Sequence, residues 1–570
     1  MSSATNEYTE QLADILTPEA GLIADADPVL FGRALARALG GAMTNPAGAS
    51  RATLSFLATL TDAGRATANL MLGRAVDGPV PSDDDRRFSD PTWQRNPAFF
   101  ALHQVYGAGA GYLRDLLDEA RLDDASRAKA DFALNYLLDA IAPTNGLLTN
   151  PEALKRAFET GGMSVIKGLR NMLDDVVNND GRPRQVDTSP FTLGENLAAT
   201  PGKVVFRNEL MELIQYEAQT DEVHEIPILC SPPWINKYYI MDLAPGKSLI
   251  EWAVQHGHTV FMISYRNPDA SMRKTTMDDY LIHGPHTAMD VVAEITGQDT
   301  VNIIGLCLGG ALTAMLVAYL KAVGEDRVNS ITLLNTLLDY REPGELGVFT
   351  DMGTIERLEA KMEKTGYLPA SEMRGTFDAL RPNDLIFNYV VNNWLKGEDP
   401  PPFDILTWNA DSTNMPAEMH SWYLRSCYIN NELAENEMEL AGQHLSLKDV
   451  DCDAYIVAAQ NDHIAPWRSS YSSTQLLGGN VRFCLSSRGH IAGIVNPPSP
   501  KAKIWLSSTT PPDPYAWWEI AEESGRSWWE DWSEWIAERA GEQVDARLVG
   551  SDAHPPVDDA PGRYVRASAD

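Results

Sequence analysis

The chain is poor in cysteine and poor in positive charge, and each shortage removes a class of function. Its five cysteines, Cys230, Cys307, Cys427, Cys452 and Cys484, are odd in number, lie at least 25 positions apart and form no C-x-x-C pair. Such spacing supplies neither a disulfide framework nor a thiolate metal site, and predicts a reducing compartment in which each thiol is judged alone. Lys and Arg total 46 against 79 Asp and Glu, a net charge of -33. A field of that sign repels phosphate backbones, so nucleic acid is not expected as a partner. No apolar run reaches membrane-spanning length; the longest, Cys307 to Leu320, predicts a buried helix and no transmembrane segment is expected. The first twenty residues carry acids rather than a basic region and no sustained apolar stretch, unlike a secretory signal. A P-loop, a G-x-G-x-x-G opening a helix after a strand, and H-E-x-x-H are all missing, so no metal and no nucleotide cofactor are expected.

What is present is a chain of 570 residues, 44% apolar, long enough for two or three structural units. From about residue 28 to 180 the apolar spacing is helical, as in Val29 to Leu39 and Leu54-Phe56-Leu57-Leu60, with turn-rich breaks at Asn45 to Gly48 and Pro79 to Asp85. Near Lys203 the texture changes to short β-rich runs: Val204 to Phe206, Leu213 to Tyr216, Ile226 to Leu229 and Val260 to Ser264. Expected helices at 247–255, 278–296 and 309–322 then alternate with strands at 301–304 and 331–334. This alternation predicts a doubly wound, mainly parallel sheet. It lapses between about 338 and 450, where an inserted cap is expected, and resumes with strands at 455–459 and 481–485. The reading is therefore an α/β-hydrolase-type catalytic domain over 201–570, capped at about 338–450 and preceded by a helical domain over 1–200. Near the C-terminus Trp528, Trp532 and Trp535 fall at i, i+4, i+7, the stripe of a helix facing the core, with a membrane or granule surface as the alternative it could face. The last twenty residues read as a tail, either tethered or loose.

The sharpest local feature is Gly305-Leu306-Cys307-Leu308-Gly309-Gly310, set between a β-branched strand and an apolar helix. That context is a nucleophile elbow: small residues permit a tight turn, and the N–H of Leu308 is left to face an oxyanion. The bare pattern G-x-[SC]-x-G arises by chance roughly 0.2 times in a chain this long, so the flanking strand and helix carry the reading. Without partners, Cys307 could equally be a small buried apolar residue. A thiol nucleophile needs a base, and this fold orders an acid and then a histidine after the nucleophile, on loops that follow later strands. The strand ending at Ala459 runs into Gln460-Asn461-Asp462-His463, and the strand ending at Leu485 runs into Ser486-Ser487-Arg488-Gly489-His490. His463 competes with His490 as base. His490 is preferred, because adjacent side chains on an extended loop diverge and Asp462 must reach its imidazole across space. A second oxyanion donor is expected from Cys230-Ser231-Pro232-Pro233-Trp234-Ile235; proline has no N–H, which leaves Trp234 or Ile235.

With these residues in hand the chain resembles the polyhydroxyalkanoate synthases of the long single-subunit kind, over nearly its whole length. The resemblance rests on the elbow and on Asp84-Asp85-Arg86-Arg87-Phe88, Pro232 to Ile240, Ser264 to Asp269, Arg381 to Leu385, Trp408 to Asp411, Asn461 to Ile464, Gly489-His490-Ile491 and Asn496-Pro497-Pro498. It implies a cytoplasmic, granule-associated enzyme, active as a homodimer, that polymerises (R)-3-hydroxyacyl-CoA onto a growing polyester chain. CoA is then part of the substrate and a product, with no separate cofactor. Cys307, Asp462 and His490 fall on the family's catalytic triad. Trp234 and Tyr265 depart from the cysteine and tryptophan common at those positions, and both bear on the acyl pocket. The resemblance leaves open whether Asp462 acts through His490 or on the substrate hydroxyl, and it assigns no residues to the CoA phosphates. A thioesterase or polyester depolymerase on the same fold is the alternative enzyme, and a granule-coating protein the alternative outside catalysis.

Overall fold

The structure, a computed structural model, describes residues 45–81 and 85–568 and a few isolated positions before residue 45. The helical pattern at 29–39 and Asp84 lie outside the described residues, apart from isolated positions. The chain forms two compact units: residues up to Asp187 together with Arg374–Pro402, and Thr188–Met373 together with Phe403 onward.

The first unit is built on helices. Pro46–Met71 begins at Asn45, whose side chain caps it, so the turn signal at Asn45 to Gly48 marks the start of a helix. This helix packs against Pro97–Asp118, which is capped in the same way by Asn96. The Asp85-Arg86-Arg87-Phe88 string has a structural role here. Arg87 pairs with Asp85 and Asp139 and donates to Asn383 at 3.0 Å, while Phe88 is buried against Trp93.

The second unit is organised by one eleven-stranded sheet. Its strands, numbered along the chain, are β1 (Gly202–Arg207), β2 (Met211–Tyr216), β3 (Ile228–Ser231), β4 (Val260–Tyr265), β5 (Val301–Leu306), β6 (Val328–Leu334), β7 (Asp453–Ala459), β8 (Val481–Ser486), β9 (Ile504–Leu506), β10 (Glu522–Ser524) and β11 (Asp558–Asp559). Across the sheet they lie in the order 10-9-8-7-6-5-3-4-2-1-11. The strands from β8 to β4 in that order run parallel; both margins are antiparallel. β3 and β5 are buried at every residue, which is why they read as unbroken apolar runs instead of alternating ones.

The elements fall close to their expected places, with one break. The stretch expected as a single helix over 278–296 is two, Met277–Leu281 and Thr287–Thr296, joined by a kink at Gly284 and Pro285. Proline removes a backbone donor and clashes with the preceding turn, and Gly284 leaves helical geometry altogether. Of the residues between β6 and β7, Arg374–Pro402 cluster with the first unit and the others with the second. The tryptophan stripe is core: on the helix Trp528–Ala537, Trp528, Trp529, Trp532 and Trp535 are all buried. The tail is tethered, with Val565 buried and Glu212 accepting from the backbone of Arg563 and Tyr564. Among the described residues no helix is long and apolar enough to cross a membrane.

Candidate active site

The site grows out of the carboxyl ends of the parallel strands, where an α/β sheet leaves a crevice. β5 delivers the chain into Cys307, which adopts φ 52° and ψ -114°, and the helix Leu308–Val323 starts at once. Such a backbone costs a non-glycine residue of order 1–3 kcal/mol and persists only where its surroundings hold it. Here the Cys307 N–H donates to the Leu334 carbonyl at 2.7 Å, and the Cys307 carbonyl accepts from Gly310 and Ala311. The flanking glycines are forced by close approach: a Cβ on Gly309 would collide with the Ser231 and Pro232 carbonyls, and one on Gly310 with the Thr336 side chain. The elbow is thus wedged against the loop that follows β3.

Asp462 stands three residues past β7. Its carboxylate is fully enclosed, with one oxygen accepting from the backbone N–H groups of Ile464 (2.9 Å) and Ala465 (2.8 Å). The other oxygen lies 2.6 Å from His490 Nδ1. The two loops are tied together, since the Asn461 N–H donates to the Arg488 carbonyl at 2.8 Å. Asn335, at the end of β6, donates its side-chain amide to the His490 carbonyl. Between these contacts the imidazole has one place to be. Of the two histidines weighed as base, His490 is the one paired with Asp462, through Nδ1, and Cys307 lies on the same ring system.

Burial works against protonation of His490, but the Asp462 carboxylate and then the Cys307 sulfur outweigh it and push the imidazole up to about 10. Burial also pushes up the thiols of Cys230, Cys427 and Cys484, and takes Cys452 to about 12. Among the described residues Cys307 alone of the five stands beside an imidazole. The N–H groups of Leu308, Trp234 and Ile235 have no acceptor among the described residues, so the expected oxyanion donors are free while the choice between Trp234 and Ile235 stays open. Two neighbours had no local motif to announce them. Tyr340 and Tyr428, whose phenols are held up by burial, pack in the cluster against which Cys307 lies. Asn335 is a third; a polar residue at the carboxyl end of a core parallel strand was its only sequence signal.

A strained cysteine on a strand-turn-helix, with a histidine and a buried aspartate from two later loops, defines an enzyme of the α/β-hydrolase fold. Residues 236–497 match the family described as alpha/beta hydrolase fold, and residues 84–253 match the poly-beta-hydroxybutyrate polymerase (PhaC) N-terminus. The chain is 41% identical over 532 residues to a poly(3-hydroxyalkanoate) polymerase subunit of Rhizobium meliloti, covering 92% of this chain and 87% of that protein. It is 43% identical over 493 residues to the corresponding subunit of Cupriavidus necator, covering 85% and 83%. A more distant relative in Haloarcula marismortui is 27% identical over 408 residues, covering 68% and 78%. The chain belongs to the poly(3-hydroxyalkanoate) polymerase family, a family of acyltransferases.

Proposed function

We propose that the chain polymerises (R)-3-hydroxyacyl-CoA through an acyl-enzyme on Cys307, with His490 as base and Asp462 orienting it. The observation that carries this reading is the 2.6 Å pairing of His490 Nδ1 with an enclosed Asp462 at an elbow whose cysteine couples to the same imidazole. His490 takes the Cys307 proton, and the sulfur attacks the thioester carbonyl while the N–H of Leu308 and that of Trp234 or Ile235 face the developing oxyanion. The C–S bond to CoA breaks, and CoA leaves with the proton from His490. The 3-hydroxyl of another acyl unit then gives its proton to His490 and attacks the acyl carbon. A new ester C–O bond forms, the bond to Cys307 breaks, and the thiol is regenerated. Thioester-for-thioester exchange keeps the acyl group activated for the second step. Both Asp462 oxygens are already engaged, by His490 and by two backbone N–H groups, which supports an action through His490 rather than on the hydroxyl.

Residues 338–373 and 403–450, which cluster with the second unit, act in this reading as a cap that keeps water from the acyl-cysteine, because hydrolysis competes with chain growth. Homodimerisation, a cytoplasmic location and attachment to polymer granules belong to the same proposal, with CoA the only carrier and no further cofactor. Incubating the protein with (R)-3-hydroxybutyryl-CoA while following CoA and polymer tests it. The expected result is polymer in step with CoA, and neither from Cys307→Ala. Free hydroxy acid in place of polymer would assign the chain to thioester hydrolysis, and substantial CoA release by Cys307→Ala would remove Cys307 from the chemistry.

A further inference from the structure

Buried tryptophans in the second unit mostly have an acceptor for the indole N–H. Trp528 and Trp529 donate to the Ile494 carbonyl, Trp532 to Thr332, and Trp408 to the Lys237 carbonyl. Trp234 does not. It is only 3% exposed, yet its Nε1 has no hydrogen-bond partner. Native proteins rarely leave a buried donor unpaired, because the desolvation is uncompensated. Trp517 shares the condition, but it packs on Tyr471 and Phe483, outside the aromatic chain described next.

Trp234 belongs to the buried cluster against which Cys307 packs. It meets Tyr423 edge-on at 5.7 Å, Tyr423 meets Tyr428 at 5.6 Å, and Cys307 packs against the same cluster. Trp234 also packs on Tyr280 at 5.8 Å, which in turn packs on Tyr265 at 5.3 Å. The Tyr265 and Ser231 hydroxyls are neighbours there, both buried, and neither makes a hydrogen bond of good geometry. The two positions that depart from the residues common in the family, Trp234 and Tyr265, therefore share one ring as a wall. An aromatic cluster with a nucleophile packed against it and a few polar atoms left without partners has the composition of a substrate subsite.

We propose that Trp234 Nε1, backed by the Tyr265 hydroxyl, binds the 3-hydroxyl oxygen of the hydroxyacyl group while it is loaded onto Cys307. An indole N–H can only donate, so it engages a lone pair of that oxygen and leaves the substrate's O–H proton available for the chain-growth step. A compartment built this way selects for an oxygen at carbon 3, since an acyl group without it leaves the buried donor unpaired. The assignment rests on the acyl-Cys307 reading above.

The experiment measures single-turnover CoA release from (R)-3-hydroxybutyryl-CoA and from butyryl-CoA, which lacks the oxygen, and takes the ratio of the two kcat/KM values. Trp234→Phe keeps an aromatic ring and removes the donor; the ratio is expected to fall about tenfold. Tyr265→Phe, which removes only a hydroxyl, is expected to lower it by a smaller factor and decides the matter if Trp234→Phe does not fold. A ratio unchanged from the wild type in the folded Trp234→Phe protein, whatever happens to the absolute rates, overturns the proposal. An unchanged ratio in Tyr265→Phe does so where that variant decides. Polymer formation by the wild-type protein separately reports on the underlying reading, so the two failures are distinguishable.

Discussion

Alternate residues of the central strands face opposite layers: Leu229, Phe261, Ile303 and Ile456 pack with Trp234, Tyr280 and Tyr423, whereas Ile228, Val260, Ile304 and Val457 pack with Trp528, Trp529 and Trp532. Both layers are aromatic and both are closed to solvent. They differ in how their polar atoms are treated. In the C-terminal layer the three indoles have acceptors, and the Tyr455 hydroxyl is bonded to Asp531, itself held by Arg482. In the other layer the Trp234 N–H and the Tyr265 hydroxyl are left over. Cys307 touches both layers at the end of the sheet. The C-terminal layer also leaves the Tyr238 hydroxyl without a partner, so the contrast lies in the indoles: those of Trp528, Trp529 and Trp532 serve the fold, and that of Trp234 does not.

The sharpest way to separate them is to remove a group from each and read activity and stability together. His490→Ala is expected to lower polymerisation by at least about a thousandfold, because members of a nucleophile-base unit fail together. Its urea midpoint should fall as well, because the enclosed Asp462 carboxylate loses its partner, so the loss is read per folded molecule. A loss below tenfold would deny His490 the role of base. Trp532→Ala is the opposite case. The ring is fully buried, its N–H donates to Thr332 at 3.0 Å, and its loss is expected to cost about 3–5 kcal/mol of stability. Activity per folded molecule should hardly change. A large fall in that quantity, measured on folded protein, would show that the C-terminal layer also shapes the site and would dissolve the contrast.

The contrast is partly written in the sequence. β3, β5, β7 and β8 are legible as apolar runs because parallel strands buried on both faces leave no alternation to confuse them. Cys307, Asp462 and His490 each follow such a run, so the site could be named residue by residue. Trp528, Trp532 and Trp535 betray the other layer by their helical spacing. Less legible is anything decided by packing across distance. The amphipathic pattern of Met352–Thr365 predicts a helix, but nothing in the string around Arg374–Pro402 says that it clusters with the first unit. Tyr340, Tyr423 and Tyr428 come from one excursion and converge on Cys307 and Trp234 only when the chain folds. The kink at Gly284 and Pro285 was legible in principle and was overridden by an apolar period that continues on both sides.

The smallest expected effect lies within the Asp462–His490 pair and concerns pH. His490 has an ordinary value of 6.5 and is raised to about 10 in the folded chain, burial being outweighed by Asp462 and Cys307. A group raised on folding contributes stability that is fully present below its unfolded pKa and is lost as pH climbs through the folded value. The pair should therefore stabilise the chain most at or below pH 6.5 and progressively less up to about 10. Asp462→Asn removes the carboxylate, the largest of the raising influences, while keeping the shape of the side chain. The gap in urea midpoint between wild type and Asp462→Asn is expected to narrow across that window as pH rises. A gap that widens with pH would mean that His490 is held neutral in the fold rather than charged beside Asp462.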